Sequence, residues 1–289
     1  MSKEKNKFHD IAHNYYVETT QTFKLIKEIF DNLFKDIDAS KKVIDNTIHV
    51  QNSLREKNKN CLDACELLKE VGYEKFQELH SKNFPNVIVE KDDKELISIK
   101  INLNEEEGKL QSAFFMLSNR KLHLNCLLDM AHIYLITLFE AFNKDFFTEI
   151  LNYKTEIMKS KKEIQYEEIL KYASIEDLHK YMVKKKIDEI SYMNLDEFAE
   201  NFLFKHFNID IKIGFSKWND LREKYYRRNI IVHNNGKISE IYAQKMNLAP
   251  CEIGKELSTD IVYIEECFKD IHSCISFIEE KIYEKLKIE

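Results

Sequence analysis

The stretch that decides the fold is residues 122–151, LHLNCLLDMAHIYLITLFEAFNKDFFTEIL. Its apolar side chains recur every three or four positions, the period with which residues return to one face of an α-helix. The positions that carry this pattern are Leu128, Ala131, Leu135, Leu138, Phe142, Phe146 and Ile150. We predict that this segment is the central core helix. A second helix is predicted from Glu105, meeting the core helix near Ser118.

The composition indicates that long helices surround this segment. Only 5 of the 289 residues are glycine and only 2 are proline. Sandwiches, barrels and dinucleotide-binding sheets need many turn residues, so this scarcity argues against those classes. Charged residues make up 33% and apolar residues 44%, which is typical of a globular protein. The predicted fold class is therefore mainly all-α.

The N-terminal region is predicted to consist of two or three helices. Apolar residues have helical spacing in residues 9–37 and again in residues 44–68. Residues 38–40, Asp-Ala-Ser, offer a break between them and a possible N-cap for the next helix. The second pattern ends near Gly72.

One β-hairpin is predicted after these helices. Isoleucines alternate with polar residues over residues 97–103, and a β-rich stretch follows Pro85. This pattern predicts a hairpin at about residues 86–103, with a turn at residues 91–94. We expect the hairpin to divide the chain into an N-terminal sensor or regulatory region, residues 1–104, and a helical domain, residues 105–289.

The remainder of the chain is predicted to be helical. The predicted segments are 154–172, 175–185, 195–206, a helix from Ser216 to residues 233–236, and a last helix from Thr259 to Lys287. Gly236 follows two asparagines and is a good helix terminator.

Cysteines and terminal residues predict a cytoplasmic location. The six cysteines form no CxxC pair, which is typical of a reducing compartment. The charged N-terminus lacks the apolar core of a signal peptide. The most apolar run, residues 131–142, is shorter than the roughly 20 residues that cross a bilayer, so no membrane contact is expected.

The segment that carries chemistry is residues 218–236, WNDLREKYYRRNIIVHNNG. On a helical projection its apolar stripe consists of Trp218, Leu221, Tyr225 and Val232. Arg228 borders this stripe on one side, and Asn229 and His233 border it on the other. Arg228 and His233 lie about 140° apart around an ideal helix. Because two copies of the helix could bring both residue types to one phosphate, we predict a homodimer with a composite site.

The same segment is a basic island in an acidic protein. Residues 212–237 contain seven lysines and arginines but two acidic residues, whereas the whole chain has a net charge of −6. A local excess of this kind predicts an anionic ligand such as RNA. The candidate contacts to the RNA backbone are Arg222, Lys224 and Arg227. Tyr226 is a candidate for stacking on a base.

The side chains of this segment suit RNA cleavage. Histidine titrates near neutrality, so it can move a proton to or from a ribose hydroxyl. Arginine stays charged and binds phosphate oxygens, and an asparagine beside it can orient either partner. Attack by the neighbouring 2′-hydroxyl needs no metal, so neither a metal nor another cofactor is expected. The product would carry a cyclic phosphate.

Residues 228–234, RNIIVHN, resemble the Arg-x(4–6)-His motif of the HEPN superfamily, including its frequent polar residue directly after the arginine. Residues 138–146, LFEAFNKDF, are similar to the first long helix of that domain. The terminal helix after residues 253–257, IGKEL, also fits. The resemblance covers about residues 120–289, a little over half of the chain.

The resemblance implies an all-α helical bundle that usually dimerises. Many such domains are metal-independent endoribonucleases that act as toxins or in abortive-infection and antiphage systems, in some cases with an antitoxin or a sensor protein as partner. The resemblance implies that Arg228 and His233 are catalytic and that Asn229 occupies the supporting polar position. Glu140 and Asn234 are further supporting candidates. One subtype has a modifiable tyrosine two residues after the histidine, where this chain has Asn235.

Other interpretations remain open. The chain could instead be a catalytically silent helical module that dimerises and regulates a partner protein, or the regulatory half of a two-gene pair. The sequence HDIAH at residues 9–13 has the spacing of a zinc motif, but aspartate replaces glutamate and no third ligand follows, so no metal site is expected. The pairs Cys61/Cys65 and Cys267/Cys274, together with His132 and His272, are expected to be structural.

Overall fold

The structure, a computed structural model, describes residues 3–47, 50–92, 97–158 and 164–288. The chain divides into two compact units. Unit 1 contains residues 1–29 and 125–289, and unit 2 contains residues 30–124. The division expected at residue 104 is therefore wrong, since the first 29 residues belong to the same unit as the C-terminal helices. The physical reason is that the first and fourth helices are continuous and each contributes to both units.

The elements within the described ranges follow one another in this order. The helices are α1 Lys3–Asn46, α2 Gln51–Val71, α3 Tyr73–Asn83, α4 Glu105–Tyr153, α5 Tyr166–Ile169, α6 Ile175–Ser191, α7 Leu195–Glu197, α8 Lys205–Phe207, α9 Ile211–Gly214, α10 Trp218–Asn234, α11 Glu240–Met246 and α12 Ile261–Leu286. A π-helix, Phe198–Phe204, joins α7 to α8, and short 3-10 turns occur at Thr155–Met158 and Pro250–Glu252. The strands are β1 Val87–Lys91 and β2 Ile97–Ile101.

Unit 2 contains the β-hairpin, as predicted. The strands β1 and β2 pair antiparallel, with Val87 opposite Ile101 and Val89 opposite Ile99. The predicted turn falls partly on residues 93–96, outside the described residues. Ala64, Phe76 and Val87 form a small core between α2, α3 and the hairpin. The end of α2 at Gly72, which has φ +77°, confirms the predicted stop.

Two predicted helix breaks are wrong. The first lay at residues 38–40, where α1 instead continues to Asn46. The Ser40 hydroxyl donates to the Asp36 carbonyl at 2.9 Å, so this serine is satisfied inside the helix and does not cap a new one. The second lay near Ser118, which is inside the 49-residue helix α4. With neither glycine nor proline between residues 109 and 153, nothing local interrupts the helix.

The prediction of one helix over residues 154–172 is also wrong. The structure has a 3-10 turn at Thr155–Met158 and the single-turn helix α5, and residues 159–163 lie outside the described part. The segments predicted at 175–185 and 195–206 are helical, although α6 extends to Ser191 and the second segment is largely a π-helix. The last two predicted helices correspond to α10 and α12, within two residues at each end.

The C-terminal half of α4 is the centre of unit 1. All seven positions of the predicted apolar pattern are buried, which confirms the predicted core helix. Phe147 packs edge to face on Phe202 of the π-helix, with ring centroids 4.9 Å apart. Phe8 of α1 also packs edge to face on Phe146, with ring centroids 6.3 Å apart, so the first turns of α1 contribute to this core. Cys267, Cys274, His132 and His272 are buried, as expected of structural residues.

By length and composition alone, α4 could cross a membrane, contrary to the expectation that its apolar run is too short. The core helix of a soluble protein passes the same test. The buried side chains of its C-terminal half contact other protein side chains in unit 1.

Candidate functional site

The helix α10 ends where its sequence predicts. Asn235 has φ +51° and Gly236 has φ +73°, so the chain turns left-handed directly after Asn234. The Gly236 N–H donates to the Ile230 carbonyl at 3.0 Å, which closes the helix. This termination leaves His233 exposed in the last turn.

The buried face of α10 differs in part from the predicted stripe. Trp218 and Leu221 are buried as predicted, but Val232 is 47% exposed. The C-terminal part of the helix instead buries Tyr226 and Ile230. These two side chains pack in a cluster with Ile238, Tyr242 and Ala243, so α11 and the turn before it cover this side.

Three of the seven cations of the basic island, those predicted to contact the RNA backbone, are paired with carboxylates of the protein. Arg222 donates two hydrogen bonds to the Asp196 carboxylate, at 2.7 and 3.0 Å. Tyr226 donates to the same carboxylate at 2.8 Å, and Lys245 at 3.1 Å. Burial acts to raise the pKa of Asp196, but these hydrogen bonds outweigh it and hold the pKa well below its ordinary value.

Two further basic residues of α10 have acidic partners. Lys224 Nζ lies 2.8 Å from Asp270 Oδ2, and both side chains are buried. Arg227 donates to Glu223 at 2.8 Å and lies over the Tyr263 ring, 4.1 Å from its centroid. Arg222, Lys224, Arg227 and Tyr226 are therefore engaged in contacts within the protein, which does not favour the predicted contacts with RNA.

Arg228 and His233 both line one cleft of about 740 Å³ in unit 1. Three segments form its walls, and the other residues that line it are Thr137, Phe139, Glu140, Ala141, Asn143 and Lys144 of α4, Ile190–Leu195 and Phe198, and Tyr225. A single chain therefore places both predicted catalytic residues at the wall of the same cleft.

The guanidinium of Arg228 is held at the wall of this cleft. Its Nη1 donates to Asn229 Oδ1 at 3.1 Å, and its Nη2 lies 3.4 Å from Glu140 Oε2. The second distance is longer than the roughly 2.8 Å of a close charge-assisted hydrogen bond. The Arg228 side chain is 24% exposed, so the guanidinium remains accessible to an anion.

Glu140 has a second partner in Tyr225. Burial, followed by the charge of Glu140 and a hydrogen bond to it, raises the pKa of the Tyr225 phenol above its ordinary range. The phenol therefore stays protonated beside Glu140. Glu140 connects α4 to α10 through both Tyr225 and Arg228.

The structure thus brings four of the five predicted catalytic and supporting residues together. Arg228, His233 and Glu140 line the cleft, and Asn229 holds Arg228. Asn234 is exposed and donates to the Lys237 carbonyl at 2.6 Å, which stabilises the turn after α10. The sequence reasoning missed Asn143, although its position three residues after Glu140 places it on the same helix face.

Within the described ranges, no group of three or more His, Cys, Asp or Glu side chains is placed to hold a metal ion. In the HDIAH segment, His9 Nδ1 lies 3.1 Å from Glu279 Oε1 and the His9 and His13 rings stack. These contacts account for His9 as a structural residue of unit 1.

Comparison of the chain with protein-family models, curated proteins and solved structures finds no match.

The buried side chain of His132 contacts α10, with its Nε2 2.9 Å from the Lys224 carbonyl oxygen. Burial lowers the pKa of His132 from 6.5 to about 4. Between these pH values the unfolded chain binds a proton that the folded state does not, so the free energy of unfolding decreases as pH falls from 6.5 to 4. We expect the urea midpoint to decrease across this window, and to decrease less in His132→Gln, which keeps a donor but does not titrate.

His272 supplies a second contribution of the same sign, since burial also lowers its pKa to about 4. The variant should therefore keep part of the pH dependence. Identical pH dependence in the wild type and His132→Gln would contradict the assignment.

Proposed function

We propose that the protein is a metal-independent endoribonuclease with Arg228 and His233 as its catalytic residues. The observation that carries the proposal is that both side chains line one cleft, with Asn229 holding the arginine. The resemblance of residues 228–234 to the HEPN motif supports the same assignment.

The reaction follows from the chemistry of these groups. His233 takes the proton of a ribose 2′-hydroxyl, and the 2′-oxygen attacks the adjacent phosphorus while the bond to the 5′-oxygen breaks. Arg228 stabilises the extra negative charge on the phosphate oxygens in the transition state. The proton then passes from His233 to the leaving 5′-oxygen. The products are a 2′,3′-cyclic phosphate and a 5′-hydroxyl, and no metal takes part.

We also propose that the enzyme is cytoplasmic and acts as a toxin or an antiphage effector, held in check by an antitoxin or a sensor protein. A homodimer belongs to the same proposal. Its support is the resemblance, together with the exposed apolar side chain of Val232 beside the cleft residue His233. The molar mass in solution, measured by light scattering, tests the dimer.

The second prediction separates this mechanism from metal-dependent hydrolysis. RNA cleavage by the purified protein should continue at an unchanged rate in excess EDTA, and the fragments should end in cyclic phosphates and 5′-hydroxyls. Sequencing of both kinds of RNA end measures this. Strict dependence on Mg²⁺, or 3′-hydroxyl ends, would rule the mechanism out. A silent regulatory module would leave RNA intact under every condition.

A further inference from the structure

One cation at the wall of the cleft has no acidic partner. Among the described residues that line the cleft, the charged side chains are Glu140, Lys144 and Arg228. Glu140 Oε2 lies 3.4 Å from Arg228 Nη2, so these two charges offset each other. Lys144 is exposed, and its ammonium forms no ion pair with any described residue. With His233 neutral, two cations and one carboxylate leave a net charge of +1 on the wall, and Lys144 supplies it.

The lack of a partner distinguishes Lys144 from three basic residues of α10. Arg222, Lys224 and Arg227 lie 2.7, 2.8 and 2.8 Å from carboxylate oxygens of the protein. A cation that already has a carboxylate partner attracts a further anion weakly, because the two opposite charges largely cancel beyond the pair. Lys144 can attract an anion in the cleft without this cancellation.

Lys144 also lies close to the residues of the proposed chemistry. Glu140 and Lys144 are four residues apart on α4, so their side chains are neighbours on one helix face, separated by about one turn of roughly 5.4 Å. Glu140 in turn contacts Arg228 of α10. A strand whose cleaved phosphate lies at Arg228 therefore has an adjacent phosphate near the long, flexible side chain of Lys144.

We propose that Lys144 is a substrate-binding residue that holds the phosphate next to the cleaved one in the RNA strand. The inference rests on the proposed function, because it takes Arg228 and His233 as the site of the cleaved phosphate. An ammonium on a flexible stem binds a phosphate as a point charge and needs no fixed geometry. The chain has a net charge of −6, which repels RNA, so a local cation at the cleft matters for attraction of the strand.

Binding of one unpaired oligoribonucleotide at several salt concentrations tests this role. Every ribose carries a 2′-methoxy group, so the strand cannot be cleaved, and fluorescence anisotropy with the full chain gives each Kd. One phosphate contact to a single strand adds about 0.7 to the slope of log affinity against log salt concentration. We expect Lys144→Gln to lower the slope by about 0.7. Binding should weaken about fivefold at about 0.1 M salt, one decade below the roughly 1 M at which such a contact is lost.

Two further variants control for charge and for position. Lys144→Arg keeps the positive charge and should keep the slope of the wild type. Lys184→Gln is the matched control, because Lys184 of α6 is also exposed and without an ion pair to a described residue, but does not line the cleft. It should bind like the wild type. Equal weakening in Lys184→Gln and Lys144→Gln would show that only the net charge of the protein matters, and would overturn the assignment.

Steady-state cleavage separates a binding role from a catalytic or a structural one. Lys144→Gln should raise KM about fivefold and leave kcat unchanged, because the contact is equally strong in the ground state and the transition state. The melting temperature should stay the same, since the side chain is exposed. A lower kcat with an unchanged KM, or a clear decrease in melting temperature, would contradict the binding role.

The two assays separate this inference from the nuclease proposal. An unchanged salt slope in Lys144→Gln overturns the role of Lys144 even if RNA is cleaved. A slope that decreases in Lys144→Gln but not in Lys184→Gln supports the contact even if the protein cleaves no RNA, in which case only the nuclease activity fails. Absence of RNA binding by the wild type overturns the inference whatever the cleavage assay shows.

Discussion

His233→Ala is expected to abolish RNA cleavage, with a rate decrease of about 10²–10⁴-fold, while the fold stays intact. The loss follows because His233 is the group that moves the proton in the proposed mechanism. His233 is exposed in the last turn of α10, so its truncation removes little packing and should leave the melting temperature unchanged. Single-turnover cleavage of a labelled RNA measures the effect.

Two companion variants make this result specific. Arg228→Ala should also lose cleavage, by about 10²–10³-fold, because the transition-state charge is then unpaired. His123→Ala is the control, since His123 is also exposed but lies in unit 2, and it should cleave like the wild type. Equal cleavage by His233→Ala and the wild type would refute the proposed mechanism.

Lys224→Met is expected to have the largest effect on stability, lowering the free energy of unfolding by about 3–5 kcal/mol. The substitution keeps most of the side-chain volume but leaves the buried Asp270 carboxylate without its close partner at 2.8 Å. Lys217 Nζ, 3.5 Å from the other oxygen of Asp270, compensates in part, so the lower end of the range is expected. Urea unfolding followed by circular dichroism measures the change.

The double variant Lys224→Met/Asp270→Leu should recover much of this loss, because no unpaired charge is then buried. Lys212→Met is the matched control. Its ion pair with Glu200 is partly exposed, and removing it should cost about 0–1 kcal/mol. A Lys224→Met protein as stable as the Lys212→Met protein would contradict the buried ion pair.

The sequence predicted those helices whose position depends on apolar periodicity and on helix-ending residues. The apolar positions of α4 repeat at the helical period, and each is buried. Asn235 and Gly236 adopt the left-handed conformation that ends α10, which their residue types favour. The alternation in β2 likewise predicted the hairpin.

The predicted break in α1 was wrong because a residue type that often caps a helix can also form a hydrogen bond inside one. Ser40 is a residue type that caps helices, but its hydroxyl bonds back to the Asp36 carbonyl and α1 continues. One capping pair lies at the start of α4, where Asn104 and Glu107 exchange backbone and side-chain hydrogen bonds of 2.8 and 2.9 Å, and Asn194 and Glu197 form a second at the start of α7. Sequence alone did not indicate which polar residue would act as a cap.

The sequence by itself determined the helical class, the core face of α4 and the helix that carries Arg228 and His233, because periodicity and helix-ending residues act over a few positions. Only the tertiary structure decided which cations of α10 remain accessible. Arg222 and Lys224 meet their carboxylates 26 and 46 residues away along the chain, and chain folding alone brings such distant groups together. Glu140 of α4 and Arg228 of α10, whose side chains both line the cleft, are 88 residues apart in the sequence.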